Sequence, residues 1–211
     1  MGDDRRSVKE TYDRIADHFS KTREYPWPEI EGFVSDVDDV GVGLDLGCGN
    51  GRHLSVLAGV ADRVVGVDAS RPLLDEARER TASDPDVALV QGDAASIPLA
   101  ASTVDVAVYI ATLHHLPERK MRRRSLDELA RVLSPGGRAL VSAWSTEHDR
   151  FDATEGFDTT VDWTLPGGEV VPRFYHIYSP AEFEADLDAS GLAVESVRVS
   201  SGNCYAEVTV D

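Results

Sequence analysis

Val42-Gly43-Leu44-Asp45-Leu46-Gly47-Cys48-Gly49-Asn50-Gly51 is an apolar run that ends in three alternating glycines. Aliphatic residues at this density suit a buried strand. Glycines directly after it let a ligand approach the backbone at the N-terminus of the next helix. The rest of the chain keeps the same rhythm, with β-type runs near Val64–Val67, Val87–Val90, Val104–Ile110 and Ala139–Ala143. Amphipathic stretches between and around them predict helices over Ser7–Phe19, Ile30–Val37, Gly51–Ala58, Ser70–Thr81, Met121–Leu133 and Pro180–Ala189. The last opens with Ser179-Pro180-Ala181-Glu182, a capping box with proline at the first helical position. Two final strands, Ala193–Val199 and Tyr205–Val210, flank a tight turn at Ser201-Gly202-Asn203. The expected fold is α/β: a doubly wound, mostly parallel sheet of seven strands whose last two are antiparallel.

A chain of 211 residues suits a single domain, with N-terminal helices over residues 1–40. Between Trp144 and Tyr178 periodicity fades while prolines, glycines and aromatics accumulate. A long irregular segment in a compact domain is usually functional, so residues 145–178 are expected to be a substrate-facing loop insertion. Met1-Gly2-Asp3-Asp4-Arg5-Arg6 leads into no apolar stretch, and no run approaches the ~20 apolar residues of a membrane span, so a cytoplasmic protein without membrane contact is expected. Cys48 and Cys204 are too few for a disulfide framework, and no cysteine or histidine falls at metal-ligand spacing; no metal is expected.

Asp and Glu number 38 against 21 Lys and Arg, a net charge of −17. Such a balance ordinarily argues against nucleic acid. Here the excess is rich in Asp and the lysines are only Lys9, Lys21 and Lys120. That skew resembles proteins of salt-accumulating cytosols, where molar salt cuts the screening length to about 3 Å. In that setting global charge does not decide the partner.

The glycine loop suits either a dinucleotide or S-adenosylmethionine. A dinucleotide fingerprint needs a small residue at the third glycine position for close packing around the pyrophosphate, and this chain has Arg52 there. The glycines instead read G-x-G-x-G after Asp45, and a carboxylate suits a cationic ligand. S-adenosylmethionine carries an ammonium and a sulfonium and no phosphate. Asp68 ends the second strand, where an acid accepts from ribose hydroxyls, and Asp93 ends the third, within reach of an adenine amino group. The expected cofactor residues are Asp45, Gly47, Gly49, Gly51, Asp68 and Asp93, with Ala94 and Ile110 beside them. A nicotinamide oxidoreductase is the alternative.

Tyr12-Asp13-Arg14-Ile15-Ala16-Asp17-His18-Phe19-Ser20-Lys21-Thr22-Arg23-Glu24-Tyr25-Pro26-Trp27-Pro28 is similar to the N-terminal signature of the tRNA wobble-uridine carboxymethyl methyltransferases. The resemblance continues at Asp45–Gly51, at Ile110-Ala111-Thr112-Leu113-His114-His115, at Ser134-Pro135-Gly136-Gly137 and at Ala143-Trp144. It extends through Trp163 and Arg173-Phe174-Tyr175-His176 to Gly202-Asn203. The chain departs from the pattern at Tyr109, where a small hydroxyl residue is usual, and in a shorter insertion reading Val161-Asp162-Trp163. The resemblance implies a class I S-adenosylmethionine-dependent enzyme that esterifies the carboxylate of 5-carboxymethyluridine at the anticodon wobble position. It also implies a tRNA anticodon stem-loop as substrate and a small zinc-binding activator protein as partner. A small-molecule methyltransferase of the quinone or sterol type, and a non-catalytic adaptor on the same fold, are the alternatives.

A carboxylate nucleophile is ionised at neutral pH and needs positioning rather than a general base. Arg23 and Arg173, in the segments most specific to the family, suit a carboxylate through their planar donor forks. His114 and His115 follow the fourth strand at its ligand-binding end and are expected to donate hydrogen bonds to substrate. Trp144 and Tyr175 offer flat surfaces for a flipped base. Arg119-Lys120-Met121-Arg122-Arg123-Arg124 reads as a phosphate handle, or as surface charge paired with Asp127 and Glu128. The uncharged strand Val87-Ala88-Leu89-Val90 is expected at an open sheet edge, where the activator would add a strand.

Overall fold

The computed structural model describes residues 4–211, with side chains from Arg6 onward. The reading of Met1–Asp3 as part of a leaderless start lies outside the described residues. Helices α1 (Asp4–Lys21) and α2 (Pro28–Ser35) precede β1 (Val40–Leu46), α3 (Leu54–Leu57), β2 (Ala61–Asp68), α4 (Arg71–Arg80), β3 (Val87–Gln91) and β4 (Val104–Tyr109). Then follow α5 (Arg119–Val132), β5 (Leu133–Trp144), β6 (Phe157–Thr164), β7 (Val170–Ile177), α6 (Pro180–Asp188), β8 (Ala193–Ser200) and β9 (Asn203–Thr209). The seven-stranded sheet runs β3-β2-β1-β4-β5-β9-β8. It is parallel through β5, and β9 runs antiparallel to both β5 and β8. Strand order reverses between β1 and β4, the crevice where open α/β sheets bind ligands.

Both faces of the sheet are covered, which is why its central strands are continuous apolar runs without alternation. Along β4, Val106 and Val108 pack with Ile30, Phe33, Leu54 and Leu57 on one face. Ala107 and Tyr109 pack with Leu126, Leu129, Phe183 and Leu187 on the other. The Tyr109 hydroxyl is satisfied in the core by Ser125 Oγ at 2.7 Å. β3 is an edge strand, with Ala88 exposed and Leu89 turned inward onto Gly66. Ser201 and Gly202 turn β8 into β9 with positive φ at both positions.

Residues 145–178 are not a loop: β6 and β7 pair as an antiparallel hairpin that forms a second sheet. Its buried positions alternate as a strand's should, at Val161 and Trp163 and at Val171, Arg173 and Tyr175. The alternation is hidden in the sequence because one of the inward residues is an arginine. The capping box is half formed, since Ser179 Oγ accepts from Glu182 N whereas the Glu182 carboxylate faces His176 Nε2 at 3.0 Å. α6 ends at Asp188, ahead of Gly191, and α3 begins only at Leu54 because the glycine turn extends through Gly51.

Three arginines of the basic run are engaged by contacts within the fold. Arg119 and Arg123 both donate to Asp186 Oδ1, at 2.8 and 2.7 Å, on the fully buried Asp186. Arg122 is buried and donates to the carbonyls of Leu116 and Pro117. These arginines fasten α5 to α6 and are not free for phosphate; Lys120 pairs with Glu118, and Glu128 with Arg131. Among the described residues no helix is long and apolar enough to cross a membrane.

Candidate active site

The glycine turn after β1 has a conformation that only its sequence permits. Gly47, Gly49 and Gly51 have φ of +77°, +53° and +77°, and a Cβ on Gly47 would lie 2.2 Å from Thr112 Oγ1. The turn is tied to β2: Gly47 N and Cys48 N donate to Val67 O, and Gly49 N donates to Asp68 Oδ2 at 2.8 Å. Asp68 Oδ1 accepts from Ser70 N at 2.8 Å. Each oxygen of Asp68 thus holds one backbone N–H and keeps capacity for another donor. Burial pushes its carboxyl up from the ordinary value, and these N–H groups partly offset that.

A cavity of about 620 Å³ opens above this turn. Gly47, Gly49, Asp68, Asp93, Ala94 and Ile110 line it, six of the eight residues expected at the cofactor. Gly51 sits behind the turn, with a would-be Cβ 3.0 Å from Ala77, and sets the approach of α4. Asp45 also lies behind it, 1% exposed, with Oδ2 lacking a hydrogen-bond partner. Burial pushes its carboxyl up to about 7, against the opposing pull of Arg52. His53 Nδ1 stands 4.0 Å away and is kept neutral, first by burial and then by Arg52, which lower its pKa to about 3.

Helix α1 closes the cavity with Arg6, Lys9 and Tyr12, and His115 completes that wall. The Tyr12 hydroxyl is 2.7 Å from His115 Nε2, and His115 Nδ1 is 3.0 Å from Phe174 O. Burial lowers the His115 pKa to about 3, so the ring is neutral. Both its nitrogens are engaged within the protein, which corrects the expectation that it donates to substrate. His114 is 1% exposed, stacks on Tyr175 at 4.8 Å and accepts from Trp144 N through Nδ1. It supports the wall from behind and does not line the cavity.

Tyr175 is likewise buried, within 5 Å of the rings of His114, His115 and Trp144, so it is no open platform for a base. Trp144 is half-buried against Tyr175, His148 and Phe151. Arg173 is 6% exposed and lies between the rings of Trp163 (4.8 Å) and Tyr175 (5.1 Å), with its buried Nε unpartnered. Arg23 also packs over the Trp163 ring, at 5.3 Å, and over Phe19 at 5.4 Å. The structure therefore brings His115, Tyr175, Arg173, Trp163 and Arg23 into one continuous stack starting at the cavity.

Tyr12 was not among the residues expected at the site, nor were Arg6 and Lys9. An amphipathic helix announces its buried face but not the cavity that face meets, so nothing in the sequence marked them. Thr112 was missed for a similar reason, since its packing on Gly47 joins residues far apart in sequence.

The cavity residues fit S-adenosylmethionine. Asp68 and Asp93 offer acceptors to ribose and adenine donors, Arg52 offers charge to its carboxylate, and Asp45 lies buried beneath the turn with Oδ2 unpartnered. The sheet order, the glycine turn and the acidic strand ends together define a class I S-adenosylmethionine-dependent methyltransferase. Residues 44–141 match the family model described as a methyltransferase domain. The complex of DhpI with SAH superposes with a TM-score of 0.74 at 21% identity over 100% of this chain and 98% of that one. The methyltransferase in complex with the Haloferax volcanii Trm112 methyltransferase activator gives 0.71 at 18% identity over 96% and 97%.

Among sequences, the tRNA (carboxymethyluridine(34)-5-O)-methyltransferase of Xenopus tropicalis is 39% identical over 69% of this chain and 22% of its own length. The Saccharomyces cerevisiae protein of the same name is 34% identical over 79% and 59%. A protein of Encephalitozoon cuniculi named as a methyltransferase is 31% identical over 84% and 82%. The chain thus spans about a fifth of the frog relative and over half of the yeast one. It belongs to the methyltransferase family that contains these tRNA (carboxymethyluridine(34)-5-O)-methyltransferases.

Proposed function

We propose that this chain transfers a methyl group from S-adenosylmethionine to the carboxylate of 5-carboxymethyluridine at the tRNA wobble position, forming the methyl ester. One observation carries the reading: Arg173 is buried beside the cavity wall and has no carboxylate partner among the described residues, in a chain with 38 acids. A buried guanidinium left unpaired is strongly unfavourable, and a ligand carboxylate is the natural occupant. The names of the relatives agree with it.

S-adenosylmethionine supplies the electrophilic methyl group when bound. Arg173, rigid between two rings, holds one carboxylate oxygen and leaves the other free to attack. The substrate carboxylate is already ionised at neutral pH, so no proton has to be removed, and neutral His115 with Tyr12 shapes the wall around the nucleophile. Excluding water and fixing the approach supply the acceleration. A Trm112-like activator adds a strand at the β3 edge and shields its apolar side; the Haloferax volcanii complex supports the partner class, and the exposure of Ala88 supports the place.

The experiment is incubation of the purified protein, with and without a zinc-binding activator, with an anticodon stem-loop containing 5-carboxymethyluridine. Nucleoside mass spectrometry should detect the methyl ester, which mild base hydrolyses. Methylation confined to small-molecule hydroxyls would overturn the proposal.

A further inference from the structure

The loop between α1 and α2 holds an exposed aromatic ring on a fixed backbone. Tyr25 is 73% exposed, and Val170 is the only other large hydrophobic side chain so exposed among the described residues. The loop beneath it is clamped: Arg23 O accepts from Asn50 Nδ2 at 2.8 Å and Glu24 O accepts from Arg80 Nη1 at 2.9 Å. Tyr25 stays in solvent because its neighbours are tied down, although burying the ring would be favourable.

Guanidinium groups gather around the same loop. Arg23 lies on Trp163 and Phe19, Arg52 on Trp27 at 5.1 Å, and Arg80 on the loop carbonyls. None of the three has an ion pair among the described residues, whereas Arg71 and Arg78, on the same helix as Arg80, both pair with Asp75. Unpaired positive charges collected in a chain of net charge −17 mark a place suited to an external anion. From Arg23 the stack runs inward through Trp163 and Arg173 to Tyr175 and the cavity.

We propose that Tyr25, with Arg23 and Arg80, is a platform for a nucleotide next to the target in a single-stranded RNA loop, the base stacking on Tyr25 and phosphates meeting the two arginines. The inference rests on the tRNA reading above and adds a binding site to it. An aromatic face flanked by guanidiniums suits single-stranded RNA because every base has a π-face, whereas phosphate contacts alone give no stacking.

The test measures binding of an anticodon stem-loop to the full chain with its activator by fluorescence anisotropy. Tyr25→Ala should weaken binding roughly 5- to 150-fold, the range for losing one stacked base. Tyr25→Phe should stay within about twofold of wild type, since it keeps the face. Arg80→Ala should lower the slope of log Kd against log salt by about 0.7 to 0.9. S-adenosylmethionine affinity, read by calorimetry, should be unchanged in both Tyr25 variants. Wild-type binding by Tyr25→Ala, or a Phe variant as weak as the Ala one, overturns the platform while methyl transfer to the stem-loop still upholds the function. A wild type that does not bind the stem-loop overturns both.

Discussion

The Tyr12 hydroxyl donates to His115 Nε2 across 2.7 Å, bridging residues 103 apart in the chain. The direction is fixed from the other side of the ring: Phe174 O only accepts, so His115 Nδ1, 3.0 Å away, carries the proton. The bond joins α1, the loop after β4 and β7 at the cavity wall.

The kcat of wild type should therefore be level from pH 5.5 to 9, because His115 titrates near 3, far below the ordinary 6.5. Tyr12→Phe removes a donor that favours the neutral ring. It should lower kcat by up to about tenfold, the scale of one hydrogen bond, and raise the His115 pKa so that an acid limb enters the profile. His114, Arg173 and Tyr175 also face this ring, and of these the Arg173 charge opposes its protonation. A histidine-like limb near 6.5 in wild type, with chemistry rate-limiting, would contradict the arrangement.

Asp68→Ala removes an acceptor in the cavity and frees both Gly49 N and Ser70 N. S-adenosylmethionine affinity should drop at least tenfold by calorimetry, since hydrogen bonds to a charged group contribute roughly 1.5–3 kcal/mol each. An unchanged Kd would reduce Asp68 to a brace for the turn.

Asp45 and the buried histidines have opposite effects on stability. The folded pKa of Asp45, about 7, exceeds its ordinary 3.8, so its contribution is complete below about 3.8 and is lost as pH rises through 7. His53 and His115, depressed to about 3, contribute fully above 6.5 and lose that contribution as pH falls toward 3. Between pH 5 and 8, Asp45→Asn should gain on wild type by roughly 2–3 kcal/mol, read from denaturant melts at fixed salt. A difference constant with pH would mean that Asp45 is already ionised in the folded protein.

Ala88, exposed on the β3 edge, is the position at which to test the activator. Ala88→Lys should release the partner in co-purification while leaving the fold intact. Leu89 packs inward on Gly66, so a charge there would report on the core instead. Co-purification at wild-type yield would move the interface off this edge.

With net charge −17, the chain should keep its circular dichroism spectrum in molar KCl and lose structure near ~0.1 M, where repulsion is poorly screened. Equal stability at the two salt concentrations would make the acidic surface incidental.

The main sheet and the cofactor end of the site were legible because their signals are local. A buried parallel strand must be an apolar run, and a turn with three positive φ angles must be glycine, so Val42–Gly51 announces both without reference to any distant residue. Asp68 and Asp93 were readable as ends of such runs. The hairpin Phe157–Thr164 with Val170–Ile177 was not, because its inward face carries Arg173, whose burial makes sense only beside Trp163 and Tyr175. The same reason separated the histidines: adjacent in sequence, His114 turned into the protein and His115 onto the cavity. Pairing Arg119 and Arg123 with Asp186, and Tyr12 with His115, required residues more than 60 positions apart. Local backbone chemistry determined where the cofactor turn lies, and only tertiary packing decided which charged and aromatic side chains reach it.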